Sequence, residues 1–527
     1  MRLNAAGLLR LDRQWNALPR RAASRDLQDH AYGRDLDLFG RPSLAQLLGP
    51  VSTPAGAAAL EDWLLVPASP EQVMSRQEAI RELAPLNDLR DHVAAHALRA
   101  REVKPEEFRP FLEWVEEPPL MTGHVAWRLA SWILPVATIA LIAADVADVG
   151  VPRLWLIPLL ASAALSLGRP GATVRDTFRR AFSREGMFKG YPELIETITD
   201  SRFASPLLAG VQERLSAGGV PAPAQMRRLQ RLMHLADLRY SPMMYLPIQL
   251  LLLWDFHVMS RVDRWRRVSG PHVRRWLAAA GEIEALSSLA ALAHDHPDWS
   301  FPEVQPSADA FLAERLGHPM LPPDARVDND VAVGPPGTFL LVTGSNMSGK
   351  STLLRAIGLN TVLALTGAPV CASRLRLPPL TLWTSIHVED SLVRGVSFFM
   401  AQLQRMKAIV SAADAAARGE RLLYLLDEIL QGTNTAERRI AATRVIGHLV
   451  ERGAIGAVTT HDLELAEEPS LAAAAQPVHF RESVQAAEDG PLMTFDYKLR
   501  PGVATSTNAL KLMEIVGLGE RTGGAHA

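Results

Sequence analysis

The sequence predicts an α/β domain built round a phosphate-binding loop in the C-terminal part, preceded by a mostly α-helical core and lever region that contains a transmembrane helical hairpin. Three observations predict this. Short apolar runs at 339–343, 422–426 and 455–459 alternate with helical patterns, the mark of a parallel sheet with buried central strands. The first run leads directly into Gly344-Ser345-Asn346-Met347-Ser348-Gly349-Lys350-Ser351-Thr352 and then a helical pattern through Ala356, Ile357 and Leu359. Far upstream, the 40 residues from 129 to 168 hold only three charges, Asp145, Asp148 and Arg153.

The glycine-rich stretch is a P-loop. Its glycines let backbone N–H groups curl round phosphate oxygens, Lys350 supplies a mobile cation for the β- and γ-phosphates, and the Ser351 hydroxyl can ligate Mg²⁺ at a helix N-terminus that already favours anions. The chain has 49 Arg but only 6 Lys, and one of the six falls here.

A chain of 527 residues is too long for one core and suggests two to four domains. The formal net charge of −2 gives no global electrostatic case for nucleic acid, so a DNA contact needs a local patch. One cysteine, Cys371, excludes an internal disulfide framework and a Cys-based zinc site, and fits a reducing cytosol. It reads as a small buried hydrophobe.

In chain order, residues 1–34 form a basic segment (Arg2, Arg10, Arg13, Arg20, Arg21, Arg25) with no apolar run of signal-peptide type. Residues 35–124 carry short helices broken at Pro54 and at Pro67 and Pro70. Residues 125–170 are the hydrophobic hairpin, its halves at 129–144 and 154–168 each a little short of the ~20 residues that cross a bilayer. Trp127, Trp132 and Trp155, with Arg128, Arg169, Arg175, Arg179 and Arg180, stand where interfacial anchors and positive-inside charges belong. This places both termini in the cytoplasm; a buried hairpin in a soluble domain is the competing reading.

Residues 171–305 return to amphipathic helix. Within them 245–254 reads as the buried face of a long helix, the cluster Arg261, Arg264, Arg266 and Arg267 as a phosphate-contacting patch or a solvated face, and 282–292 as a further helix. The α/β domain occupies 306–518 and a tail 519–527.

The second chemical element is a buried strand, 422–426, ending in Asp427-Glu428. Asp427 can hold Mg²⁺ and Glu428 can polarise a water beside the γ-phosphate. The third strand leads to Thr460-His461-Asp462, and a histidine at a strand's C-terminal end can touch the γ-phosphate or the attacking water.

With these pieces assembled the chain resembles the MutS family of mismatch-repair ATPases, within the ABC-type P-loop superfamily. The matching stretches are 344–352 (GSNMSGKST), 397–405 (SFFMAQLQR), 422–437 (LLYLLDEILQGTNTAE), 457–465 (AVTTHDLEL) and 495–510 (FDYKLRPGVATSTNAL), with Gly317-His318-Pro319 and Asp328-Asn329-Asp330 leading in and 35–86 similar to the helical core. The resemblance implies ATP and Mg²⁺ as ligands, Asn346 as a nucleotide contact, Lys350 and Ser351 as phosphate and Mg²⁺ ligands, Asp427 and Glu428 as the Walker B pair, and His461 as the γ-phosphate sensor. It implies that Ser397 reaches the partner's ATP, in a composite site of a homodimer closed by ATP and coupled to a DNA clamp.

Departures limit the likeness. The stretch before Asp35 has no room for the mismatch-reading and connector domains, Gln402 replaces an acid, and the family's usual C-terminal extension is missing. The hairpin, too, is foreign to repair proteins. The expected function is therefore an ATP hydrolase coupled to binding of mismatched or structured DNA. The alternative is a membrane-anchored signalling or scaffolding ATPase that binds none. A small-molecule kinase fits poorly, because the carboxylate pair and Thr460-His461 suit attack by water.

Overall fold

The computed structural model describes residues 2–100, 105–150, 152–181, 190–216, 219–345, 347–386, 398–416, 421–430, 435–461, 465, 468–487 and 490–503. The chain divides into two compact units. One holds residues 1–49, 61–85 and those from 289 onward, the other 50–60 and 86–288.

The first unit has two sheets. The smaller contains β1 (Glu303–Val304), β2 (Phe311–Leu316), β3 (Asn329–Val333) and β5 (Arg374–Leu377) in the order β1-β5-β2-β3. The larger contains β4 (Phe339–Thr343), β6 (Leu380–Ser385), β7 (Arg421–Asp427), β8 (Ile455–Thr459), β9 (Ala475–Ala487) and β10 (Gly490–Pro501) in the order β10-β9-β4-β8-β7-β6. All its neighbouring pairs are parallel except β9 with β10. β4 and β8 are buried at every residue, as their unbroken apolar runs require of central parallel strands. On one face Phe339, Leu341, Tyr424 and Leu426 pack with Met406 and Ile409 of helix Phe398–Ala416 and Ile446 and Leu449 of helix Thr435–Glu451.

Helix Lys350–Thr366 is buried nearly all round, which explains why its sequence shows little amphipathic pattern. N-terminal segments supply part of that cover. Ala68 N donates to Leu365 O at 3.3 Å, Arg355 pairs with Asp37 at 2.8 Å, and an added side chain at Gly358 would sit 2.7 Å from Leu36. Asp35 accepts from Thr384 Oγ1 at 2.7 Å and from Ile386 N at 2.9 Å, tying the N-terminal stretch to the end of β6. The basic N-terminal segment is partly structural: Arg13 is buried and donates to Pro319 O at 3.1 Å, and Arg10 pairs with Asp295 at 3.3 Å.

The second unit is helical. The predicted hairpin is present as helices Val125–Val146 and Leu156–Leu167, the first longer than the sequence pattern suggested because it starts before Arg128. The reading of 245–254 as the buried face of a long helix is corrected. Residues 245–252 belong to a separate helix, Pro242–Leu252, stopped by Leu253 in the left-handed region (φ 51°) before Trp254 opens the next, with Met243, Met244 and Leu246 exposed. The predicted 282–292 helix is the end of a single helix, Trp254–Asp295. The arginine patch also divides. Arg261, Arg264 and Arg267 are exposed, but Arg266 is buried, pairs with Asp263 at 3.3 Å and donates to Trp114 O and Glu117 O. Its charge serves the fold.

Candidate functional site

β4 delivers the chain to a loop whose backbone few side chains would tolerate. Gly344 and Gly349 have φ of 144° and 104°, and Met347 lies at 67° with its side chain 86% exposed. A Cβ at Gly344 would approach Ser348 Oγ to 2.9 Å, and one at Gly349 would lie 3.1 Å from Tyr497 Cδ1. Gly349 caps helix Lys350–Thr366 without a side-chain hydrogen bond, and the start of a helix favours an anion. Ser348 Oγ is buried and has no hydrogen-bond partner. Ser345, Ser351 and Thr352 complete the described part of the loop, and Ser351 and Thr352 line a cavity of about 410 Å³. Asn346 and Ser397 lie outside the described residues.

Lys350 is 5% exposed, and its Nζ donates to Gly344 O and Ser345 O, both at 2.9 Å. It also lies 3.5 Å from His461 Nε2. That contact follows from strand order, because β8, which ends two residues before His461, sits between β4 and β7. Thr459 is in register with Val342 on one side and Asp427 on the other. Its hydroxyl donates to Asp427 Oδ1 and accepts from Glu428 N at 3.1 Å, fixing the end of β7.

After β7 the backbone turns through two left-handed non-glycine residues, Glu428 at φ 48° and Leu430 at 58°. Such conformations cost roughly 1–3 kcal/mol each, and here the burial of Ile429 and Leu430 in the sheet core holds them. The turn presents Glu428 to the cavity, where its Oε1 is 2.6 Å from His461 Nε2. Lys350, His461 and Glu428 are thus linked at one sheet edge, beside Asp427.

The cavity continues from the loop into a less polar recess lined by His318, Leu321, Val327 and Tyr497. Burial, with Arg355 nearby, lowers the His318 pKa to about 4, so its ring is neutral at pH 7. No periodicity marks His318 or Tyr497 as lining residues; the left-handed Tyr497 (φ 53°) is placed there by β10. Among the described residues no group of three or more His, Cys, Asp or Glu could hold a metal by itself. A Mg²⁺ at Ser351 and Asp427 would complete its shell with phosphate oxygens and water, its usual way of binding. The donor set fits that ion.

Residues 340–522 match the family model described as MutS domain V. The chain is 31% identical over 249 residues to the DNA mismatch repair protein MutS of Natronomonas pharaonis, covering 46% of this chain and 27% of that protein. It is 27% identical over 253 residues to the DNA mismatch repair protein MutS of Thermotoga maritima, covering 47% and 31%. The match therefore spans under a third of the length of these relatives. This C-terminal portion, with its strand-end cluster of Lys350, Glu428 and His461, is similar to the corresponding domain of the MutS family.

Proposed function

We propose that the protein is an ATP hydrolase whose nucleotide site is the cavity lined by loop residues 347–352 and by Glu428, at the sheet edge where β7 ends. The observation that carries this reading is the linked set Lys350, His461 and Glu428, with His461 Nε2 3.5 Å from Lys350 Nζ and 2.6 Å from Glu428 Oε1, beside a buried loop serine with no internal partner. The first-turn N–H groups and the Lys350 ammonium hold the phosphates, and Lys350 leaves the loop carbonyls to do so. The less polar recess at His318 and Tyr497 takes the nucleoside. Ser351 and Asp427 would hold Mg²⁺, which would supply positive charge against the phosphates. Glu428 accepts a proton from the attacking water, and His461, hydrogen-bonded to Glu428, orients that carboxylate and reads the γ-phosphate side of the site.

The test is Glu428→Gln. It keeps the shape of the side chain but cannot take a proton, so ATP binding by equilibrium titration should persist while turnover falls by about 10²–10⁴. Undiminished turnover would remove Glu428 from its role.

By the family likeness, the site is completed by a second copy of the chain through Ser397, and ATP-driven pairing is coupled to binding mismatched or structured DNA in a mismatch-repair-like role. A clamp neutralising several phosphates loses affinity steeply as salt rises, which a gel-shift titration reads. ATP turnover without any salt-dependent DNA binding would make the protein a scaffolding ATPase instead.

We further propose attachment to a membrane through 125–167, with the ATPase on the cytoplasmic side. The supporting observation is that the apolar stretch of helix Val125–Val146 is 17% buried, against 78% for the comparable stretch of Trp254–Asp295. Length and composition alone pass both helices; burial separates them.

A further inference from the structure

The nucleotide site leaves one large feature of the second unit unused, a cluster of helices with reversed polarity. In helix Val125–Val146 the buried residues are Ser131, Pro135 and Thr138, and in Leu156–Leu167 they are Pro158, Ser162 and Ser166. The large side chains point the other way: Trp132, Ile133, Val136, Ile157 and Leu160 are each between 60% and 67% exposed. Of the hydroxyls inside, Ser131 Oγ donates to Arg128 O and Thr138 Oγ1 to Leu134 O, both at 2.7 Å, while Ser162 Oγ is buried without a hydrogen-bond partner. In water this arrangement leaves most of the large apolar groups unburied, with Leu134, Leu141, Ile142, Leu159 and Leu165 only half-buried. In hydrocarbon it is the favourable one, because small residues let helices approach closely while large apolar ones face the acyl chains.

A third helix shares the pattern. Pro242–Leu252 packs against both hairpin helices, exposes Met243 (90%) and Leu246 (59%), and turns its one amide inward. That amide, Gln249 Nε2, donates to Ser166 Oγ at 3.0 Å, and Gln249 Oε1 accepts from Asp255 N at 2.9 Å. A buried amide with both ends satisfied is what a helix needs if no water can reach it.

Resting on the membrane reading above and extending it, we propose that the lipid-embedded element is this three-helix cluster rather than the hairpin alone, with the Gln249–Ser166 hydrogen bond as its interior polar joint. Bilayer lipid is the occupant that suits the surface. Val125–Val146 has 22 residues, about 33 Å at 1.5 Å per residue, the thickness of a hydrocarbon core. Exposed Arg128, Arg153 and Arg169 bound the apolar stretches, where anionic headgroups complement them. Leu156–Leu167 and Pro242–Leu252, with 12 and 11 residues, are too short to cross alone and contribute side by side.

The test uses the full-length chain in isolated membranes with four single substitutions: Val136→Cys, Leu160→Cys, Leu246→Cys, and Val66→Cys in the first unit as the exposed control. The native Cys371 is buried with its thiol pushed up to about 12, so it stays silent. A membrane-impermeant maleimide cannot enter hydrocarbon. Val66→Cys should react promptly, and the other three about tenfold more slowly or less until SDS dissolves the membrane. Fast reaction at Leu246→Cys with protection at 136 and 160 would overturn the three-helix inference and leave the hairpin reading standing. Fast reaction at all four would overturn both. So would recovery of the chain in the soluble fraction, including as a dimer whose second copy covers these positions.

Discussion

At the scale of single residues, Thr459 carries more than its type suggests. One hydroxyl binds the Asp427 carboxylate and the Glu428 amide, so the two acids at the end of β7 are aimed by a strand that contributes no acid of its own. Thr459→Val keeps the shape and removes both bonds. A thermal melt should show a loss of about 1–2 kcal/mol, and kcat should fall while nucleotide affinity stays near the parent value. Thr459→Ser should restore both. Lys350→Ala acts on the other arm: by losing the cation it should abolish measurable ATP binding, whereas Glu428→Gln abolishes only turnover. These two outcomes separate holding the phosphates from attacking them.

At the scale of elements, buried polar groups decide how the helices of the second unit are fastened. Glu284, almost fully buried in helix Trp254–Asp295, accepts from Thr53 Oγ1 at 2.5 Å and from the backbone N–H groups of Ser52 and Thr53. It holds Thr53, whose hydroxyl in turn accepts from Gly56 N at 3.0 Å in the first turn of helix Pro54–Leu65. Glu284→Ala should destabilise this unit by about 3 kcal/mol, since hydrogen bonds to a charged group are lost and buried donors are left unpaired. Denaturant titration with a probe in the second unit reads that loss. If the midpoint does not move, the clamp contributes nothing.

At the scale of the whole molecule, acid should weaken the first unit before carboxylates there are titrated. Burial, helped by Arg13, lowers the His296 pKa to about 4, and His318 is lowered to the same value. Both are neutral in folded and unfolded chains above pH 6.5, so their contribution there is constant. Between 6.5 and about 4 the unfolded chain takes up protons that the folded chain refuses, and stability falls by up to about 1.4 kcal/mol per pH unit for each histidine. His296→Gln should flatten this slope in a pH series of melts. A slope unchanged by the substitution would count against the burial of His296 as its source.

What the sequence determined by itself is the chemistry of the sheet edge. A strand, a glycine loop, a carboxylate pair and a strand-end histidine are local patterns, and parallel strands bring their C-terminal ends to one edge whatever their order. What only the tertiary structure decided depends on contacts between residues far apart in the chain. Strand order puts β8 between β4 and β7, and so places His461 against both Lys350 and Glu428. The N-terminal stretch joins the sheet through Asp35 and Asp37, contacts that no local periodicity encodes. The 245–254 run misled for a related reason: hydrophobicity does not record which side chain a helix turns inward, and here Gln249 is buried against Ser166 while Leu246 is exposed.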